Sequence, residues 1–274
     1  MFRSKSDIKK LFSEIAVGYS LNAIMSSYPQ SGSTWLRYCI EYLSKRPTFS
    51  VPTSNAKTWV REMNAPLGFL VDIGVDVYAN PIINKSHYIS NIGQCKNKVK
   101  PKLLLLVRDY KDVIIRHSCY KNYLQDEYCS LKNKPLRKGW MKRFKKDIGG
   151  YIDNSHGHDY IYPLLQFSQY DGCKKIIYYE DIVCDLPSVL YELSSYLGFD
   201  LCYLSEFMCN IDMHKNNAIK IYNTYNRSFL KVNDKKIGYH KDKIPEDKLT
   251  ELDDIVYNKY PDIFDKYLLR YKEK

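Results

Sequence analysis

Apolar residues in this chain fall into two patterns, short unbroken runs and runs at helical spacing, and the two alternate. Ala23 to Met25 reads as the end of a buried strand and feeds a turn of small residues, Ser31, Gly32, Ser33 and Thr34. Beyond it, Leu36, Cys39, Ile40 and Leu43 recur at i, i+3, i+4 and i+7, one apolar face of a helix. Leu103 to Val107 is an unbroken apolar run, suited to a strand buried on both faces, and Val113 to Ile115 continue as a helix with Asp112 as its first-turn or capping acid. Ile176 to Tyr179 reads as a third strand. It is followed by a helix with Pro187 near its start, Leu190, Leu193 and Leu197 on its face and Gly198 at its end. A last helix begins near Pro245 and turns Leu249, Leu252, Ile255 and Val256 inward. Residues 4–19 form a weaker amphipathic helix, and residues 47–80 are irregular, punctuated by Pro47, Pro52 and Pro66. Strands alternating with helices predict an α/β fold, a central parallel sheet flanked by helices, as one domain over residues 1–274.

The first strand-turn-helix is built as an anion cradle. A helix N-terminus presents backbone N–H groups without intrahelical partners and the positive end of the helix dipole, and phosphate or sulfate suits that position. A nucleoside-triphosphate P-loop would need G-x-x-x-x-G-K-[ST], and this turn has one glycine and no following lysine. Two further segments carry chemistry. In Pro81 to Tyr88, Lys85 and His87 stand two residues apart, so on a strand both side chains share a face, a base beside a cation. Histidine can take a proton from an acceptor hydroxyl near neutral pH while lysine offsets charge on a group in transfer. Arg108 stands at the carboxyl end of the leucine-rich strand, the edge where open α/β sheets bind ligands.

Net charge adds a partner class. At +11, the surface favours anions, a polyphosphorylated nucleotide among them, whereas 45% hydrophobic and 27% charged residues are ordinary for a globular protein. The basic stretch 121–149 reads as a solvated border to an anionic substrate more readily than as a nucleic-acid surface. The eight cysteines lack C-x-x-C spacing, and no Cys/His cluster has zinc spacing, so no metal is expected. No apolar run approaches a membrane span and the first residues are too polar for a signal peptide, from which a soluble, cytoplasmic protein is expected.

Tyr28 to Trp35, Y-P-Q-S-G-S-T-W, resembles the 5′-phosphosulfate loop Y-P-[KR]-S-G-[TSN]-T-W of sulfotransferases that use 3′-phosphoadenosine 5′-phosphosulfate (PAPS), departing only at Gln30. Lys85 to His87 resembles the family's K-[TS]-H. Residues 108–116 resemble its 3′-phosphate motif R-[ND]-P-[KR]-D-x-x-x-S: Arg108, Asp109, Lys111 and Asp112 match, Tyr110 replaces proline and Arg116 takes the serine position, with Ser118 two residues on as the fallback. Tyr179 to Ile182 resembles the family's Y-E-D-[LI]. Lys236, Gly238 and Lys241 fit the second half of the R-K-G-x-x-G-D-W-K loop, with Tyr239 and His240 in place of Asp-Trp.

The resemblance implies a P-loop-type topology and a reaction in which a sulfuryl group passes from PAPS to a hydroxyl or amine. It implies His87 as the base, Lys85 as the charge-stabilising cation, and Gln30, Ser31, Gly32, Ser33, Thr34 and Trp35 around the 5′ end and adenine. Arg108 and Arg116 would hold the 3′-phosphate, Tyr179 would face the adenine, and Lys236 and Gly238 would close over the nucleotide. The adjacent Glu180 and Asp181 are assigned to structure and capping. The acceptor stays open among small molecules, glycans and peptides. The alternative reading is a lapsed enzyme that binds PAPS or a sulfated glycan, suggested by the uncharged Gln30.

Overall fold

In the computed structural model the described residues are 23–28, 30–50, 81–86, 100–114, 139–148, 159–226 and 237–273. Strand β1 (Ala23–Ser27) leads into helix α1 (Ser33–Ser44), followed by β2 (Thr48–Ser50), β3 (Ile83–Ser86) and β4 (Lys102–Val107). Helices α2 (Trp140–Asp147) and α3 (Ile161–Gln169) precede β5 (Lys174–Tyr178). Four more helices follow: α4 (Tyr179–Cys184), α5 (Leu186–Leu197), α6 (Leu204–Cys209) and α7 (Ile211–Asn226). After a 3-10 turn, Tyr239–Asp242, α8 (Glu246–Lys259) runs into closing helical turns that end at Tyr271.

The strands form one parallel sheet in the order β2-β3-β1-β4-β5. The chain runs outward from β1 toward β2 and later from β4 toward β5, so the order reverses between β1 and β4. At that reversal the connections leave in opposite directions and open a crevice at the carboxyl ends of the strands. The turn after β1 and Arg108 after β4 both lie there.

Alternation along β4 explains its continuous apolar run. Leu103, Leu105 and Val107 join Ile24 in a core with Phe144 of α2, Leu164 of α3, Leu252 of α8 and Phe264. Leu104 and Leu106 face the other way, packing with Met25 against Leu36, Cys39 and Ile40 of α1, Leu190 of α5 and Phe207 of α6. All four α1 positions expected to be apolar and inward are buried. Helix α5 has the termini its sequence specifies: Asp185 accepts from Ser188 N–H at 3.2 Å, and Gly198 ends it in the left-handed region at φ 78°. Two placements differ from expectation: Thr48–Ser50, within the stretch read as irregular, forms the edge strand β2, and the end of β5 is displaced. Tyr179 is the first residue of α4 rather than the last of β5, so Glu180 and Asp181 sit on a helix rather than a strand.

A buried polar trio ties α1 to the sheet. Arg37 Nε donates to Thr48 Oγ1 at 2.8 Å and its Nη2 to Thr48 O at 3.0 Å, while Glu41 Oε1 accepts from Thr48 N–H at 3.0 Å and from the Thr48 hydroxyl. Burial pushes the Glu41 carboxyl up to about 8 against the opposing charge of Arg37. Thr48→Val removes the acceptor of Arg37 Nε and a donor to Glu41 together, and should cost about 3 kcal/mol. Urea denaturation measures this, and a loss below about 1 kcal/mol would show that the trio contributes little.

Candidate functional site: the crevice between the first and fourth strands

The turn after β1 is shaped for close approach. Ser31 N–H donates to Tyr28 O at 3.3 Å, and Gln30 and Gly32 both adopt the left-handed region, at φ 69° and 87°. That conformation suits Gly32 and is strained for Gln30. Helix α1 has no side-chain cap and no acid in its first turn, and its first backbone bond runs from Leu36 N–H to Gly32 O at 3.3 Å. The amides of Ser33, Thr34 and Trp35 therefore precede the hydrogen-bond ladder and face the turn side of the helix. Ser31 Oγ is buried and has no hydrogen-bond partner among the described residues. A buried hydroxyl left without a partner costs about 1–3 kcal/mol. An orphaned donor, uncapped amides and a glycine turn together fit an anionic group such as the phosphosulfate end of PAPS.

Arg108 reaches this turn from β4. It is 4% exposed, its Nη1 donates to Gln30 O at 3.3 Å, and its guanidinium lies 4.0 Å from the centroid of the Tyr179 ring. The same ring blocks any side chain at Gly32: a Cβ built there would stand 2.5 Å from Tyr179 Cδ2. Gln30, Gly32, Arg108 and Tyr179, drawn from segments far apart in sequence, thus touch one another. Tyr179 braces both the glycine turn and the arginine, a role that the expectation of an adenine contact did not include.

Asp112 lies in the first turn of the helix that begins at Tyr110, as a first-turn acid, and it is Asp109 that accepts from the Lys111 amide there. The Asp112 side chain is fully buried and accepts from Gly238 N–H at 3.2 Å, His240 N–H at 2.8 Å and His240 Nδ1 at 2.7 Å, with Arg108 Nη2 at 3.4 Å. Burial would raise its pKa, yet the His240 hydrogen bond and the Arg108 charge hold the carboxyl down to about 2. These bonds bring Gly238 beside Arg108. Glu180 has a structural part, accepting from Asp109 N–H at 3.2 Å and from the Tyr271 hydroxyl at 2.6 Å, and Asp181 pairs with Arg270 at 2.6 Å. Tyr160 OH donates to Arg108 O at 2.7 Å, fixing the backbone of that residue.

Lys85 is buried on β3, opposite Met25 of β1, and so belongs to the same carboxyl-end region. Trp35 stacks on Tyr38 at 5.5 Å and on Phe207 at 6.1 Å. Those two rings are 6.4 Å apart, so they flank one side of the indole rather than sandwich it. His87, Arg116 and Lys236 lie outside the described residues. In the sequence Asp112 has a motif match and His240 is marked only as a departure from the loop motif, with no role in the site for either. No local signal could have assigned one, because the bonded partners are more than a hundred residues apart.

Gly32→Ala should push the Tyr179 ring away and carry Arg108 with it, besides placing alanine at φ 87°. We expect a loss of about 2 kcal/mol in stability together with weaker anion binding. Denaturation and phosphonucleotide titration of this variant test it, and wild-type values in both would refute the brace.

A family model described as the sulfotransferase domain matches residues 22–264. No curated protein matches the sequence. Among solved structures, a mouse sulfotransferase complexed with PAP is similar at 15% identity, over 99% of this chain and 97% of that one, with a TM-score of 0.56. A retinol dehydratase in complex with androsterone and inactive cofactor PAP is similar at 14% identity, over 93% and 86%, with a TM-score of 0.57. The same enzyme in a complex with retinol and PAP gives 15% identity, over 94% and 86%, and a TM-score of 0.57. At such identities these likenesses establish a shared α/β fold, and the family model, which spans most of the chain, establishes more: this protein belongs to the sulfotransferase family.

Proposed function

We propose that this protein transfers a sulfuryl group from PAPS to a hydroxyl or amine of its acceptor, leaving adenosine 3′,5′-bisphosphate (PAP). The observation that carries the reading is the meeting of Arg108 with the Gln30–Gly32 turn, where a buried cation stands beside uncapped amides and the partnerless Ser31 hydroxyl. Structural neighbours with PAP bound support the choice of nucleotide. When bound, PAPS supplies an activated sulfuryl group on a phosphate leaving group. Gly32, Ser33 and Thr34 would hold the phosphosulfate end through their amides, and Ser31 through its hydroxyl. Arg108, with Arg116, would hold the 3′-phosphate. Trp35 would take the base, and Lys236 and Gly238 would close the loop over it.

In this reading His87 accepts the acceptor proton, and Lys85 offsets negative charge on the oxygens in transfer. Both positions follow one another on or just beyond β3, whose neighbour β1 leads into the cradle. The acceptor is a small molecule, a glycan or a peptide with a free hydroxyl or amine. A second reading, a lapsed enzyme that keeps nucleotide or sulfated-glycan binding, is favoured by one observation: Gln30, not a lysine or arginine, stands in the cradle, and its carbonyl rather than its side chain meets Arg108.

PAP should raise the melting temperature and ATP should do so much less, because only PAP offers a 3′-phosphate to Arg108. Arg108→Ala should weaken PAP binding by about 2–4 kcal/mol. Equal stabilisation by ATP and PAP would refute the nucleotide assignment.

His87→Ala should lower turnover by on the order of 10² to 10⁴ while PAP affinity stays within about twofold, since a general base touches the acceptor proton and not the nucleotide. Gln30→Lys separates the two readings. In an active enzyme it should change the rate little, whereas in a lapsed one it should create transfer, because a cation near the leaving oxygen stabilises charge that grows only in the transition state. Labelled sulfate transfer from PAPS to a broad acceptor panel reads both. Nucleotide binding without turnover in wild type and Gln30→Lys alike would leave the binding reading.

A further inference from the structure

Behind Arg108 runs a line of alternating charge that sulfuryl transfer as described does not use. His240, 1% exposed, lies between two carboxylates: Nδ1 is 2.7 Å from Asp112 Oδ1 and Nε2 is 3.0 Å from Glu273 Oε1. Ionised carboxylates only accept hydrogen bonds, and a neutral imidazole carries one N–H. Both bonds therefore require the imidazolium. Glu273 is itself held in place, with Lys241 Nζ at 3.2 Å, Lys111 Nζ at 3.4 Å and its own N–H donating to Asp253 Oδ2 at 2.7 Å. Just before it, Tyr271 O accepts from the buried Lys111 Nζ at 2.5 Å.

We propose that His240, held as an imidazolium between Asp112 and Glu273, is a positioning residue for the donor nucleotide: it neutralises Asp112, so that the charge of Arg108 stays available to a phosphate in the crevice. The inference rests on the reading of Arg108 as a phosphate ligand. With a neutral His240, the buried Asp112 would have Arg108 as its one fully charged partner among those contacts, and the pair would present no net charge to an anion. Protonating His240 adds one positive charge to the cluster behind Arg108, in which Glu273 is itself paired with Lys241 and Lys111. The backbone bonds from Gly238 and His240 to Asp112 persist in either state, so the effect is on charge more than on the position of the loop.

The groups facing His240 set where it titrates. Asp112 and Asp109 face it from the segment after β4, Asp109 Oδ2 at 3.7 Å, Glu273 faces it from the closing segment, and Lys241 belongs to its own turn. Lys111 and Asp253 stand one contact further away, on Glu273. Burial would lower the His240 pKa, but the hydrogen bond and charge of Asp112, with Asp109 and Glu273, raise it. Burial pushes Asp109 up to about 7 against Lys111 and His240, so Asp109 gains charge as pH passes neutrality and helps His240 keep its proton. A histidine with a raised pKa is fully charged below its ordinary value and loses its charge as pH rises through the raised one. Phosphate affinity should fall on the alkaline side.

Calorimetric titration of PAP from about pH 7 to about pH 9, above the second phosphate pKa of about 6, tests this on wild type, Glu273→Gln, His240→Gln and Arg108→Ala. Wild-type affinity should fall roughly tenfold across the range. Glu273→Gln should move that fall to lower pH, and His240→Gln should bind weakly at every pH, with only the smaller dependence that Asp109 contributes. Glu273 is partly exposed, so its variant keeps the test decisive if His240→Gln fails to fold, and melting curves without ligand at each pH separate lost folding from lost affinity. A wild-type profile flat with pH, or a Glu273→Gln profile superimposed on wild type, would overturn the role of His240 while leaving Arg108 as the phosphate ligand. Wild-type protein that does not bind PAP, or Arg108→Ala binding as tightly as wild type, would overturn both.

Discussion

Asp112 carries a full charge in the interior because two backbone amides, an imidazole and a guanidinium converge on it, and much of the crevice depends on that convergence. A carboxylate taken out of water is costly unless paired and fully hydrogen-bonded. Here the requirement is met by groups from two distant segments, so satisfying Asp112 also docks the 238–240 loop beside Arg108. Arg108 is in turn held from three sides, by Asp112, by the Gln30 carbonyl and by the Tyr179 ring. A side chain restrained in this way loses little further freedom when it meets a ligand, which is how preorganisation raises affinity.

The apolar architecture gives this polar seam its rigidity. Cores on both faces of the sheet lock β1 and β4 side by side, and each of these strands ends at the crevice. Several interior polar groups are matched across distant segments: Tyr110 donates to Asp253, which also pairs with the fully buried Lys111 at 2.8 Å, and Glu180 joins the Asp109 amide to the Tyr271 hydroxyl. The closing turns of the chain therefore buttress the segment that carries Arg108. Ser31 Oγ is one of several buried polar atoms, Asn84 Nδ2 and Glu41 Oε2 among them, that have no hydrogen-bond partner among the described residues, and it is the one that lies in the glycine turn of the cradle. An unmatched hydroxyl at that turn is open to a ligand oxygen.

Much of the fold could be read directly from the sequence, because the signals are local. Helical spacing in Leu36 to Leu43, the two-faced run Leu103 to Val107, and the Asp185, Pro187 and Gly198 punctuation of α5 each depend on residues within a turn or two, and each has its place in the structure. The turn Ser31 to Thr34 declared an anion cradle for the same reason, since a helix N-terminus creates unpaired amides whatever surrounds it. The boundary at Tyr179 was harder. Its aromatic side chain favours a strand, but the ring packs on Gly32 and Arg108, and that contact accompanies a chain already turned into α4.

What the sequence by itself determined was which segments could be strands, which helices, and where an anion could rest. Tertiary structure alone decided which charges meet. Asp112 finds Gly238 and His240, Lys111 finds Asp253 and Tyr271, and Gly32 finds Tyr179, all across more than a hundred residues. Periodicity reports the face a side chain presents, whereas a buried ion pair depends on how two faces are brought together. That juxtaposition is set by the packing of the whole sheet, and it has no trace in any local window.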